Sequence, residues 1–247
     1  ETRFLQSLSG WISGLIFHPY HVTQDSIRPY IGDEVAVVIL GEPPASEEGP
    51  SRFDYVRGDN EEAVLAAVEH LIALGHSHIG FIQGPPGTPT GTRRLEGYRR
   101  ALRQAGLPYD ERLVVTGDYT RDAGRSRIGL LLDMPEPPTA VFCANDLIAL
   151  GAMETAQRRG YRIPQDLSIV GFDDIDEAAL SLPPLTTIRQ PPRRLGTIAG
   201  QVLLERLSGR NEPADILLDF DLVVRGSTAP PREEGTDRRP SAGPSDR

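Results

Sequence analysis

The chain has 247 residues and a formal net charge of −9, and all 26 of its Lys+Arg positions are arginine. Without lysine there is no Walker-type phosphate loop and no Schiff-base or pyridoxal chemistry, and the acidic balance offers no broad electrostatic footprint for nucleic acid. One cysteine, Cys143, excludes internal disulfides and multi-cysteine zinc sites; no apolar run reaches the roughly 18–20 residues of a membrane span; and Glu1-Thr2-Arg3-Phe4 does not begin a signal peptide, so a reducing cytoplasmic location is expected.

Leu15-Ile16-Phe17 and Val35–Leu40 are β-branched apolar runs of the kind that form strands buried on both faces. A loop by composition follows, 41–50, rich in Gly, Pro and Glu. Asn60 is placed as an N-cap with Glu61 and Glu62 in the first turn of a helix, and Gly75 closes that helix. Strand Ile79–Ile82 leads into the glycine-rich loop Gly84–Gly91 and a helix over Arg93–Gln104. Strand Leu113–Val115, helix Arg121–Leu132, strand Ala140–Ala144, helix Asp146–Arg159 and strand Leu167–Val170 continue the pattern. Strand Leu185–Arg189, helix Arg193–Leu207 and a last strand Ile216–Val224 complete it. Strands alternating with helices of about 10–15 residues predict an α/β fold with a mainly parallel sheet. Residues Ala229–Arg247, dominated by Pro, Gly, Ser, Arg and Glu, are expected to be a disordered tail.

The glycine-rich loop Gly84–Gly91 lacks both GxGxxG spacing and a Lys-Ser/Thr ending, so it reads as a ligand-contacting loop at a strand's carboxyl end, or as a long turn. His18 with His21, and His76 with His78, have no third convergent ligand, so no metal site is expected, and His76 reads as a turn residue satisfied by backbone. Asp173, Asp174 and Asp176 end a buried strand, where a carboxylate either faces a ligand or caps the next turn; Asp173 is assigned the first role and the others the second. Asn145 and Asp146 repeat the geometry, one free to face a crevice while the other caps a helix. Arg93 and Arg94 open a helix, where the dipole disfavours a cation, so they stand out from ordinary surface arginines. No Gly-x-Ser-x-Gly elbow, nucleophile–His pairing or cofactor fingerprint emerges; the chain is not read as an enzyme, and no cofactor is implied. Cys143, inside an apolar run, is read as buried and structural.

An ordered set of segments carries a resemblance. It runs Asp59-Asn60, His70–His76, Ile79–Gly84, Arg94-Leu95-Glu96-Gly97-Tyr98, Gly117-Asp118-Tyr119, Pro138–Phe142, Ala144-Asn145-Asp146, Ile163–Asp174, Pro184–Ile188 and Arg225-Gly226-Ser227-Thr228. Together these resemble the effector-binding domain of LacI/GalR-family transcriptional regulators over about residues 10–228. The resemblance implies a periplasmic-binding-protein-like fold of two parallel-sheet subdomains joined by crossovers, with the effector in the cleft between them. Residues 1–59 and 191–212 would form the N-terminal subdomain, 60–190 and 213–228 the C-terminal one, and 229–247 the tail. It also implies effector contacts at Arg94, Asn145, Asp173 and Gln190, with Tyr119 as an aromatic wall and Tyr55 from the first subdomain. Arg and Asp give charge-assisted bonds to hydroxyls or an anionic group, Asn offers a donor and an acceptor, and an aromatic face packs on a sugar ring or base.

The family's N-terminal helix-turn-helix, hinge helix and first core strand and helix have no match ahead of Gly14–Phe17. The chain alone is therefore expected to bind no operator DNA and to be marginally folded. The function implied is the ligand-sensing, dimerising core of a regulator: a homodimer in which a small effector, a sugar by its polar set, modulates operator binding through an N-terminal domain. The alternative is a sugar-binding solute receptor of an ABC transporter. A sugar- or nucleotide-acting enzyme with Asp173 as acid/base lacks a supporting nucleophile.

Overall fold

A computed structural model describes residues 11–18, 31, 34–43 and 52–232. In chain order the elements are β1 (Gly14–Phe17), β2 (Ala36–Leu40), β3 (Asp54–Gly58), α1 (Asn60–Ala73), β4 (Ile79–Gln83) and α2 (Pro89–Gln104). Then come β5 (Val114–Thr116), α3 (Arg121–Leu132), β6 (Ala140–Cys143), α4 (Asp146–Arg158), β7 (Ser168–Asp173) and α5 (Asp176–Leu180). The last are β8 (Thr186–Arg189), α6 (Pro192–Leu207), β9 (Asp215–Leu218) and β10 (Asp221–Val223). Among the described residues they form two compact units. One comprises the chain up to Asp59, Thr88–Thr90 and Pro191–Asp219; the other comprises Asn60–Gly87, Gly91–Gln190 and the chain from Phe220 on.

The first unit is built on the four-stranded sheet β1-β2-β3-β9, parallel throughout. Side chains alternate across a strand. Val37 and Ile39 accordingly meet Phe53 and Tyr55 in one apolar cluster, while Val38 and Val56 meet Ala199 and Val202 of α6 in another. The sheet thus carries an apolar cluster on each face, as the unbroken run of β2 predicts. Asp54, fully buried, holds this unit's edge together: it accepts from Arg206 Nε at 3.0 Å, Arg210 Nη1 at 2.9 Å and the Ala214 amide at 2.7 Å.

The second unit has a six-stranded sheet in the order β10-β8-β7-β6-β4-β5, parallel except where β10 pairs antiparallel with β8. Its core runs through Phe81, Phe142 and Phe172 on the strands, with Val64, Val68 and Leu71 from the apolar stripe of α1. Removing one such fully buried leucine from water contributes about 1.5–3 kcal/mol. The helices α3 and α4 cross closely enough that a Cβ on Gly124 would strike the Ile148 carbonyl, and one on Gly151 the Arg121 carbonyl.

Four expectations are corrected. The helix expected over Arg93–Gln104 begins at Pro89, whose fixed φ suits a first helical position; Arg93 and Arg94 thus lie beyond the first turn, where the dipole penalty has fallen off. Asn60 is the first residue of α1 rather than the residue before it, and its side-chain oxygen accepts from Arg94. The apolar run Ile216–Val224 divides into β9, paired with β3, and β10, paired with β8. The first unit accordingly runs to Asp219, and the second takes up the chain again at Phe220. Hydropathy is continuous across that point; what separates the pieces is Arg57 holding Asp215 at 2.8 and 2.9 Å, and Phe220 packing edge-on against Phe172 at 5.9 Å.

The fourth concerns the tail, of which 229–232 are held and 233–247 lie outside the described residues. The Ala229 carbonyl accepts from His76 Nε2 at 2.9 Å and Ser168 Oγ at 3.0 Å, and Arg232 pairs with Asp166 at 2.9 Å. His76 is thus a buried side chain, and the backbone that satisfies it comes from Ala229, far along the chain. A carbonyl only accepts, so Nε2 carries the proton and Nδ1 receives the Thr139 hydroxyl at 2.9 Å. Burial holds the His76 pKa below its ordinary value, as it does that of His70.

Two outcomes follow. Gly151→Ala overpacks a helix crossing and should lower stability by about 1–3 kcal/mol. Gly200→Ala on α6, with nothing among the described residues within 4 Å of the new Cβ, should be neutral or stabilising by up to about 1 kcal/mol. Denaturant unfolding of the two variants checks both. His76 has a folded pKa below the unfolded one, so the unfolded state takes up more protons as pH falls through about 6.5, and stability declines there. Melting curves of His76→Gln, compared with the parent across that range, should show a shallower decline.

Candidate functional site

All strands of the second sheet except β10 run the same way, so the residues following β4, β6, β7 and β8 leave from one edge. β6 lies between β4 and β7, with β5 beyond β4, so the winding reverses between β4 and β6. In open α/β sheets the ligand crevice opens outside the carboxyl ends at such a reversal.

Arg94 of α2 lies at this edge with 6% of its surface exposed. Its Nε donates to Asn60 Oδ1 at 2.9 Å, its Nη1 donates to the Ala144 carbonyl just past β6, and its guanidinium carbon stands 3.7 Å from the centroid of Phe172 on β7. Such stacking of a desolvated cation contributes up to about 2 kcal/mol. A guanidinium has five N–H donors in a planar fork, the geometry that suits oxygen acceptors.

Asn145 follows that carbonyl. Its Oδ1 accepts from the Ile148 amide at 2.9 Å, capping α4, and its Nδ2 donates to the Tyr119 carbonyl at 3.2 Å. Cap and crevice roles thus fall on one residue, since an amide keeps a second N–H and a second lone pair. Tyr119 packs its ring over Gly84, where any Cβ would run into it. The glycine loop after β4 is therefore the floor under an aromatic wall.

Asp173 ends β7 and accepts from Gln190 Nε2 at 2.5 Å, the two residues closing neighbouring strands. Its backbone has φ 120°, and Asp174 has φ 58°. The second value is one that Asp tolerates; the first is strained for any residue with a side chain. Asp174 points away from Gln190 and binds Arg189 Nε and Arg225 Nη2, each at 2.6 Å. Burial alone would raise its pKa, but the Arg225 and Arg189 hydrogen bonds bring it below the ordinary value. Asp176 sits in the first turn of α5.

Arg94, Asn145, Asp173 and Gln190, with Tyr119, are thus brought to one edge of one sheet. Tyr55 belongs to the other unit, 3% exposed, in the cluster with Val37, Ile39 and Phe53. His18 Nδ1 meets the Leu40 carbonyl at 2.5 Å, and His21 lies outside the described residues. Among the described residues no group of His, Cys, Asp and Glu has the grouping of a metal site. Cys143 is fully buried, and burial pushes its thiol pKa up. Sequence reading missed Asn60 and Phe172 as the supports of Arg94. Both lay inside quoted motifs, but only their three-dimensional neighbours reveal the role.

A family model described as a periplasmic binding protein-like domain matches residues 68–228. The HTH-type transcriptional repressor CytR of Escherichia coli (strain K12) is 45% identical over 186 residues, 74% of this chain and 54% of that protein. Catabolite control protein A of Priestia megaterium is 34% identical over 92% of this chain and 68% of its own length. Among solved structures, a transcriptional regulator CelR–cellobiose complex superposes with a TM-score of 0.84 at 36% identity, covering 91% of this chain and 69% of that one. This chain spans about half the length of CytR. A LacI family transcriptional regulator from Mycobacterium smegmatis superposes with a TM-score of 0.83 at 35% identity, covering 94% of this chain and 84% of that one. With its parallel sheets and these similarities, the chain belongs to the LacI family of transcriptional regulators, as its periplasmic-binding-protein-like, effector-binding part.

Proposed function

We propose that this chain is the ligand-sensing core of a LacI-type regulator and that a small polyhydroxylated effector, a sugar, binds at the carboxyl edge of β4, β6, β7 and β8. The observation that carries this reading is the convergence there of Arg94, Asn145, Asp173 and Gln190 beside the Tyr119 ring. A carboxylate, an amide and a guanidinium match the alternating donors and acceptors of vicinal hydroxyls, and an aromatic face suits the C–H side of a pyranose. The CelR–cellobiose complex is similar in fold and supports a sugar over other polar metabolites.

CytR is named as a transcriptional repressor and CelR as a transcriptional regulator, which favours a binding role over catalysis. In this reading operator DNA is gripped by another part of the protein, in keeping with a net charge of −9 on this chain. The effector acts by favouring one of two arrangements of the regulator. Assembly as a homodimer is part of the proposal. It is supported by two exposed leucines close in sequence, Leu180 at the end of α5 and Leu182 just after it, 79% and 83% exposed.

Melting shifts across a panel of mono- and disaccharides, nucleosides and nucleobases test the effector. One sugar at about a hundred times its Kd should stabilise the protein by about 2.7 kcal/mol, and Asp173→Asn should weaken its binding about 10–100-fold by removing one charge-assisted acceptor. A shift with nucleobases and none with sugars would reassign the effector, and no shift with any class would remove the sensing role. Leu182→Glu should convert a dimer to a monomer in light scattering; a parent chain that is monomeric at all concentrations would refute the dimer.

A further inference from the structure

One buried carboxylate joins the strand ends that carry the candidate contacts. Asp146, the first residue of α4, is fully buried. Its Oδ1 accepts from the Thr187 hydroxyl of β8 at 2.5 Å, and its Oδ2 from the Ile175 amide at 3.0 Å. The Asp174 amide also hydrogen-bonds to it. On β7, a Cβ at Gly171 would strike Oδ1, so glycine there makes room for the carboxylate. Each element it touches presents a site residue: Asn145 precedes it, Asp173 stands directly before the two amides it receives, and Gln190 follows the strand of Thr187.

The backbone at Asp173 and Asp174 has φ 120° and 58°, and left-handed or stranger geometry at a residue with a side chain costs about 1–3 kcal/mol. Something must hold it. Arg189 and Arg225 hold Asp174 from the side, and the two amides aimed at Asp146 hold it from within.

We propose that Asp146 is the positioning residue of this edge, fixing Asn145, Asp173 and Gln190 in one arrangement by tying β6, β7 and β8 together. That those three residues meet an effector rests on the function proposed above; that Asp146 orders them does not.

The groups facing Asp146 are Cys143 from β6, a neutral thiol, Asp173 and the Arg-paired Asp174 from β7, and Thr187 from β8. Burial pushes its pKa up to about 7, opposed by the Thr187 and Ile175 hydrogen bonds and assisted by the charge of Asp173. The folded pKa is above the unfolded one, so this group's stabilising contribution is complete at low pH and is lost as pH rises through about 7. Any opening that lets water reach the Asp174 and Ile175 amides also hydrates the carboxyl, so the same sign governs local opening.

The test is residue-resolved hydrogen exchange on the ligand-free protein from about pH 5.5 to 8.5, corrected for intrinsic rates. The parent should lose protection at Asp174 and Ile175 as pH rises to about 7 and level off above it. Asp146→Ala should lower their protection about tenfold or more at every pH, since buried N–H groups lose their acceptor. Asp146→Asn keeps an acceptor and cannot ionise; it should restore protection and abolish the pH step. Should either variant fail to fold, Thr187→Val removes only the hydroxyl donor and should move the step to higher pH. Protection in Asp146→Ala equal to the parent's, or a step in the parent that Asp146→Asn retains or Thr187→Val leaves in place, would overturn the proposal. Because no ligand enters, its failure is separate from failure of the sugar panel.

Discussion

Arg94 brings a charge into the second unit that a guanidinium does not shed. With 6% of its surface exposed, it cannot rely on water, and a buried unpaired charge is the most expensive thing a fold can contain. The surrounding architecture meets that demand. The first residue of α1 supplies an amide oxygen, the end of β6 supplies a carbonyl, and β7 supplies an aromatic face. Four elements, α1, α2, β6 and β7, are therefore in fixed relation around one cation, and it is their fixed relation that makes the carboxyl edge a defined surface.

That demand is met because the helices can come close enough. A Cβ at Gly97 on α2 would strike the Glu61 carbonyl of α1, so only glycine allows α2 to lie where Arg94 reaches Asn60. Ion pairs reinforce the crossing at its surface, Arg100 to Glu62 at 2.9 Å and Arg93 to Glu61 at 3.5 Å, but exposed pairs contribute only about 0–1 kcal/mol each. Backbone proximity and the buried bonds decide the geometry.

Periodicity made most of the second unit legible, because its strands are continuous apolar runs and its helices carry clear stripes: β6 was placed to within a residue and α3 at both ends. What periodicity could not show was which sheet a run joins. Ile216 and Leu222 look alike as residues, and only pairing with β3 or β8 separates them. The grouping of the candidate contacts was legible for a related reason. Asn145, Asp173 and Gln190 follow apolar runs, and parallel topology places such positions together. Asp146 was seen but not its role, because that role consists of a hydroxyl and amides distant in sequence. Tyr55, drawn in by resemblance alone, packs in the core of its own unit.

The candidate contacts are held by the protein itself: Asn145 caps α4, Gln190 holds Asp173, and Arg94 holds Asn60. Groups fixed in this way lose little entropy on binding, so more of the contact energy appears as affinity. The same engagement gives a ligand leverage. Asn60 and Gln190 are the residues where the chain passes from one unit to the other, bonded respectively to Asp59 and Pro191. Arg94 and Asp173, the contacts of the proposed function, are thus one hydrogen bond away from residues at two of the passages between units. A sensor needs ligand contacts whose geometry differs between its states, and the proposed function places those contacts on residues that lie both at the carboxyl edge and beside the crossovers.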